Sequence, residues 1–186
     1  MDPVEYTTQS DIENYLLTDI DGSFSEQIAS WIVAMSNFID NYCNRSIYRT
    51  EEETFLYDGD NTDKLMIKDV CLISSVTVDD IEVEYVKYPA NKPYASRIRL
   101  IDNRFTTGIQ NVSVTGIQAM NSTLPEDIKF ACTVLVAGIV NNQLFNDKKG
   151  TTERIGGYSI TYKDDQQQKD YEEAKRILAG YTRITF

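Results

Sequence analysis

A helix that is apolar on every side has to be enclosed on every side, and residues 128–142 spell such a helix. Within it the apolar run 130–140 is interrupted only by Thr133. That run is too short to span a bilayer, which takes about 20 residues, so the rest of the protein must supply its neighbours. The expectation is a central, fully buried helix with the other elements arranged around it.

The best candidate for a neighbour lies near the start of the chain. Ile28, Trp31, Ile32, Met35, Phe38, Ile39 and Tyr42 fall at offsets 0, 3, 4, 7, 10, 11 and 14, one continuous apolar stripe on a helix. A last helix over 166–179 turns Tyr171, Ala174, Ile177 and Leu178 inward, with Gly180 in the position that commonly ends a helix. Trp31, Met35, Phe38, Leu135 and Ile177 are therefore the expected core. Two capping boxes are read: Ser10 with Glu13 ahead of a short first helix, and Thr123 with Glu126 ahead of the central one, Pro125 sitting in its first turn.

Between residues 46 and 120 the apolar period changes from that of a helix to two. "TFLYDGDNTDKLMI" reads as strand, acidic glycine turn, strand, and "SSVTVDDIEVEYV" as a hairpin turning near Asp79-Asp80. "ASRIRLI" and "NVSVTGIQ" add two more, for a module of about four to six strands. The fold class is α+β. An antiparallel helical bundle is built from 1–47 and 121–186, each part too small to bury a core alone. A β-rich module over 48–120 is inserted in it, all within a single domain of 1–186.

The 186 residues carry a net charge of −11, which opposes the phosphate neutralisation on which ordinary nucleic-acid binding depends. There is no histidine, which removes Ser–His and Cys–His nucleophiles and imidazole metal sites. Cys43, Cys71 and Cys132 are an odd number, widely spaced, and read as reduced thiols in a chain without a signal peptide. The sequons at Asn44, Asn111 and Asn121 then read as chance.

"DGDNTD" invites a calcium loop. Counting from Asp58, Asp60 and Asp69 take positions three and twelve, but position five is Thr62 and position six, which needs glycine, is Asp63. A solvated turn is the better reading. Glu51, Glu52 and Glu53 make a charged strand edge rather than a catalytic pair. "GGYS" leads into a strand, not a helix N-terminus, so it is no phosphate loop. No cofactor and no catalytic residue is expected.

"ERIGGYSITY", residues 153–162, is a strand in helical surroundings, and a strand needs a partner. Two partners are open: the chain's own β module, or a neighbouring subunit.

Three stretches resemble the head–tail connector (adaptor) proteins of long-tailed bacteriophages. "IDNYCNR" ends the stripe helix, "LPEDIKFACTVLVAGI" is similar to that family's central helix entered through a Pro-Glu/Asp turn, and "ERIGGYSITY" to its glycine-and-aromatic strand before a terminal helix. The resemblance spans about 1–47 and 121–186. It implies a non-enzymatic virion protein of the neck, made in the host cytoplasm and assembled as a dodecameric ring under the portal. Such a ring extends the DNA channel, lets packaged DNA pass without specific binding, and docks the next neck or tail protein; no membrane is involved. It also implies two surfaces. One is a channel or inter-subunit loop-strand with Lys148, Lys149, Glu153, Arg154, Gly156, Gly157 and Tyr158. The other is a portal-docking tail with Tyr181, Arg183, Ile184 and Phe186, for which folding back onto the core is the alternative. A stopper-type neck or tail-completion protein, a carboxylate-based hydrolase and an unrelated scaffold module are the rival functions.

Overall fold

The computed structural model describes residues 4–144, 151–155, 157–162 and 165–183. The fold is α+β and divides into two compact units, Met1–Asn44 with Leu124–Phe186, and Arg45–Thr123.

In the first unit, helix α1 (Gln9–Leu16) starts at Thr8 rather than at Ser10. Thr8 is extended, its hydroxyl accepts the Asp11 amide and the Asp11 carboxylate accepts the Thr8 amide, a capping box two residues ahead of the expected one. Glu13 is engaged elsewhere, accepting from Gln9 Nε2 at 2.8 Å and from the Ile20 amide at 3.3 Å. The preceding Tyr6 and Thr7 are buried. The Tyr6 amide donates to Ser36 Oγ, its hydroxyl to Asp40, and Thr7 Oγ1 lies 2.6 Å from Thr133 Oγ1.

After a 3-10 turn over Gly22–Phe24, helix α2 (Ser25–Cys43) buries Ile28, Trp31, Ile32, Met35, Ile39 and Cys43 and stops at Asn44, whose φ is 52°. The apolar stripe continues past its cover, however: Phe38 is half-buried and Tyr42 is 47% exposed.

Helix α3 (Glu126–Gln143) is the enclosed one. Every residue from Ala131 to Asn141 is buried, and α1, α2, a strand over Tyr158–Tyr162 and a helix over Asp165–Tyr181 pack against it. Its N-cap is Pro125, without a side-chain hydrogen bond, so the Thr123–Glu126 box does not form. Asp127 takes over one orphan amide, that of Ile128, at 2.9 Å.

Strands β8 (Thr151–Ile155) and β9 (Tyr158–Tyr162) pair antiparallel, Thr151 opposite Tyr162 and Ile155 opposite Tyr158. Gly157 supplies the positive φ of 87° that the turn between them requires. The strand that needed a partner therefore finds it in the segment just before it, and not in the β module. Such a two-stranded ribbon is marginal alone; here β9 lies on α3 and Ile160 is fully buried.

Helix α4 (Asp165–Tyr181) runs through Gly180 instead of ending there. The backbone at Gly180 does not need glycine, having no close neighbour and no positive φ. Tyr171, Ala174 and Leu178 are buried and Ile177 half-buried.

The second unit holds seven strands rather than four to six. They are β1 (Glu53–Gly59), β2 (Lys64–Val70), β3 (Leu72–Val78), β4 (Ile81–Glu82), β5 (Tyr85–Tyr88), β6 (Ala95–Leu100) and β7 (Gly108–Ile117). One sheet has the order β1-β7-β3-β4 and the other β2-β6-β5, all antiparallel. "DGDNTD" thus joins strands of different sheets, and no hairpin forms there. The tight turn is at Asp79 and Asp80, with φ of 51° and 65°, the left-handed pair that a two-residue hairpin loop demands. Leu65, Ile67, Val76, Val78, Ile98, Val112 and Val114 from both sheets share one core with Phe105. Gly116 permits close approach to β3, since a Cβ there would stand 2.1 Å from the Leu72 carbonyl oxygen.

Candidate functional site

The acidic turn of the β unit is built as structure. Asp58 accepts the Gln110 amide at 2.7 Å, and Asp60 accepts both the amide and the hydroxyl of Thr62. Those Thr62 bonds hold the Asp60 carboxyl below its usual range, and the Arg99 hydrogen bond does the same for Asp63. Among the described residues no three His, Cys, Asp or Glu side chains gather as a metal site, and no helix is long and apolar enough to cross a membrane. Glu51 and Glu52 are exposed, and Glu53 pairs its backbone with Gly116.

Sequence reasoning overlooked one buried pair. Arg45 Nη2 lies 3.1 Å from Asp69 Oδ2, with side-chain exposures of 12% and 4%. The guanidinium also covers the Tyr94 ring at 5.2 Å and donates to the Met120 sulfur. The pair has ionic contact without hydrogen-bond alignment: neither Asp69 oxygen nor Arg45 Nε has a hydrogen-bond partner among the described residues. Asp69 is the twelfth position of the loop weighed for calcium, and its carboxylate is committed to Arg45 instead.

In the helical unit the uncovered end of the α2 stripe borders a groove of about 310 Å³. Phe38 and Tyr42 form one wall, their ring centroids 6.0 Å apart, and Leu135, Tyr171 and Leu178 complete the apolar lining. Two cations edge it: Arg154 from β8, and Lys175, whose ammonium lies 4.9 Å from the Tyr171 ring and 3.2 Å from Glu172. Of the expected loop-strand, then, Arg154 reaches this groove, Gly157 makes the turn, Tyr158 is half-buried and Glu153 pairs its backbone with Ile160. Lys148, Lys149 and Gly156 lie outside the described residues.

Of the expected tail, Tyr181 belongs to the last turn of α4, and its hydroxyl donates to both oxygens of Asp127 at 3.0 Å. The Arg183 amide donates to the Cys43 carbonyl at 2.8 Å. Ile184 and Phe186 lie outside the described residues. Burial, then the Asp127 hydrogen bond and charge, push the Tyr181 hydroxyl up to about 12 from 10.0. A folded-state pKa above the unfolded one means the contribution is complete below pH 10 and is lost as pH rises through about 12. Melting temperature should accordingly fall less steeply between pH 10 and 12 in Tyr181→Phe than in the wild type. Parallel curves would show that this hydroxyl bears no such linkage.

The thiols offer no nucleophile. Burial pushes Cys132 up to about 12 and raises Cys71, and Cys43 is buried.

The fold is similar to that of a chain in the neck of an empty GTA (gene-transfer-agent) particle, computed with C6 symmetry. The TM-score is 0.60 at 11% identity, over 95% of this chain and 89% of that one. No curated protein matches the chain. A model of the head completion protein family matches residues 5–184, and the chain belongs to that family. It is a non-enzymatic, structural virion protein of the head–tail connector (adaptor) class, placed at the junction of head and tail.

Proposed function

We propose that the chain assembles as a ring beneath the portal, dodecameric in the virion, which extends the DNA channel and docks the next neck or tail protein. The observation that carries this reading is family membership along essentially the whole chain, residues 5–184. In it the helices packed on α3 form the antiparallel bundle of the ring, and the β-rich residues 45–123 are its inserted module. The net charge of −11 supports a channel role, since a negative wall repels DNA phosphates and lets packaged DNA slide. Rings of identical subunits need a heterologous contact that closes by rotation, so each copy must offer two different surfaces.

Electron microscopy of the protein bound to its portal tests the ring directly. A twelvefold density coaxial with the portal is expected; single copies bound off the axis, or no binding, would overturn it. Portal docking is assigned to the tail beyond the tethered Tyr181 and Arg183, with Ile184 and Phe186 as its apolar anchors. Deleting 184–186 should leave the melting temperature unchanged and abolish portal binding. A lower melting temperature with normal binding by the folded fraction would make the tail part of the core.

A further inference from the structure

Two features of the helical unit have no use among the described residues. The first is the groove bounded by Phe38, Tyr42 and Tyr171, where the described residues leave the end of the α2 stripe exposed, edged by Arg154 and Lys175. The second is Leu17. It follows α1 with φ of 53°, a left-handed conformation that favours glycine or asparagine, yet it is a large apolar side chain 90% exposed. Neither helix ending nor core packing selects leucine there. Asp19 and Asp21 follow it, and Phe24 at the end of the same corner is 37% exposed.

The two features are chemically complementary. Leu17 is an apolar knob in acidic surroundings; the groove is an apolar hole with cations at its edge. The acidic side of the pair is the plainer one in the sequence: residues 1–44 contain eight carboxylates and no lysine or arginine, whereas 124–186, which supply Arg154 and Lys175, hold nine of each sign. Copies with a net charge of −11 repel one another overall, so a contact that sets a carboxylate of one copy against a cation of the next is favoured.

We propose that the Leu17 corner of one copy seats in the Phe38–Tyr42–Tyr171 groove of its neighbour, with Asp19 facing Arg154 and Lys175. This rests on the ring reading above and names its contact: knob and hole are different patches, so the interface is heterologous and repeats from copy to copy.

The test uses the chain assembled on its portal with p-benzoylphenylalanine at Leu17. Illumination should give a product of two-chain mass, joined at peptides carrying Phe38, Tyr42 or Tyr171. A link to the portal, a two-chain product joined elsewhere, or no product while a lysine cross-linker still shows multimers would overturn this contact and leave the ring standing. Absence of multimers with either reagent would remove both. In parallel, Leu17→Asp should reduce multimer yield about tenfold with an unchanged melting curve. The combination Arg154→Glu with Lys175→Glu should reduce it similarly, and adding Asp19→Lys should restore part of the loss. Undiminished multimers in Leu17→Asp would refute the knob.

Discussion

Replacing Trp31 by alanine should lower the unfolding free energy of the helical unit by about 3–5 kcal/mol, the range for emptying an aromatic site in a packed core. Trp31 is 7% exposed in the middle of α2, between Ile28 and Met35, both fully buried. Helix α3, which packs on α2, is itself held by buried residues such as Ile128, Leu135 and Ile139, which opposes its moving to fill the space. The shift in urea midpoint measures the effect. A change below about 1 kcal/mol would mean that the indole contributes little packing. The same substitution at Tyr42, which is 47% exposed, should have a far smaller effect on folding.

Asp69→Ala should destabilise the β unit by about 3–5 kcal/mol, because it strands the Arg45 charge in a buried position. The pair stands 3.1 Å apart with 12% and 4% of its side chains exposed. Its loss cannot be made good by solvent, and added salt should change the result little. Asp69→Leu combined with Arg45→Met should regain most of the lost stability, since a packed apolar pair of similar volume needs no compensation for desolvation. If the single substitution proves neutral, Arg45 reaches water in solution and the pair is not enclosed.

The parts of the fold that the sequence announces are its long apolar run and its long apolar stripe. Residues 128–142 read as a buried helix because the run is too long for an ordinary strand, and the α2 stripe reads as a helix with an apolar face because of its period. Periodicity states that a face is apolar, not how far its cover extends, which is why Phe38 reads as core and is half-buried. The observed caps, Thr8 and Pro125, differ from the expected ones because hydroxyl and acidic residues cluster at both helix starts, and the choice among them depends on backbone already fixed by burial. Tyr6 and Thr7, locked onto Ser36 and Thr133, fix the entry to α1 at Thr8. The strand at 151–155 was hidden by its polar composition, "TTER", since its partner and not its hydropathy makes it a strand. The acidic turn was readable as a failed calcium loop, but the commitment of Asp69 to Arg45, 24 positions earlier, has no local signature. Leu17 carries no periodic signal at all, and its exposure and left-handed backbone mark it only in the structure.

The chain enters and leaves the β unit side by side. Tyr48 and Asn121 form a parallel bridge, and the Met120 and Asn121 amides donate to the Ser46 and Ile47 carbonyls at 2.9 and 3.0 Å. Backbones bridged in this way are about 5 Å apart, so the whole strand-rich segment begins and ends at nearly one point. To the helices it is equivalent to a loop of a few residues. Its contents can be lengthened, shortened or exchanged without moving the two helix ends it joins, and the closure entropy hardly changes because it grows only as the logarithm of loop length. A segment whose two ends meet can therefore change in length or strand number at little entropic cost to the chain that flanks it.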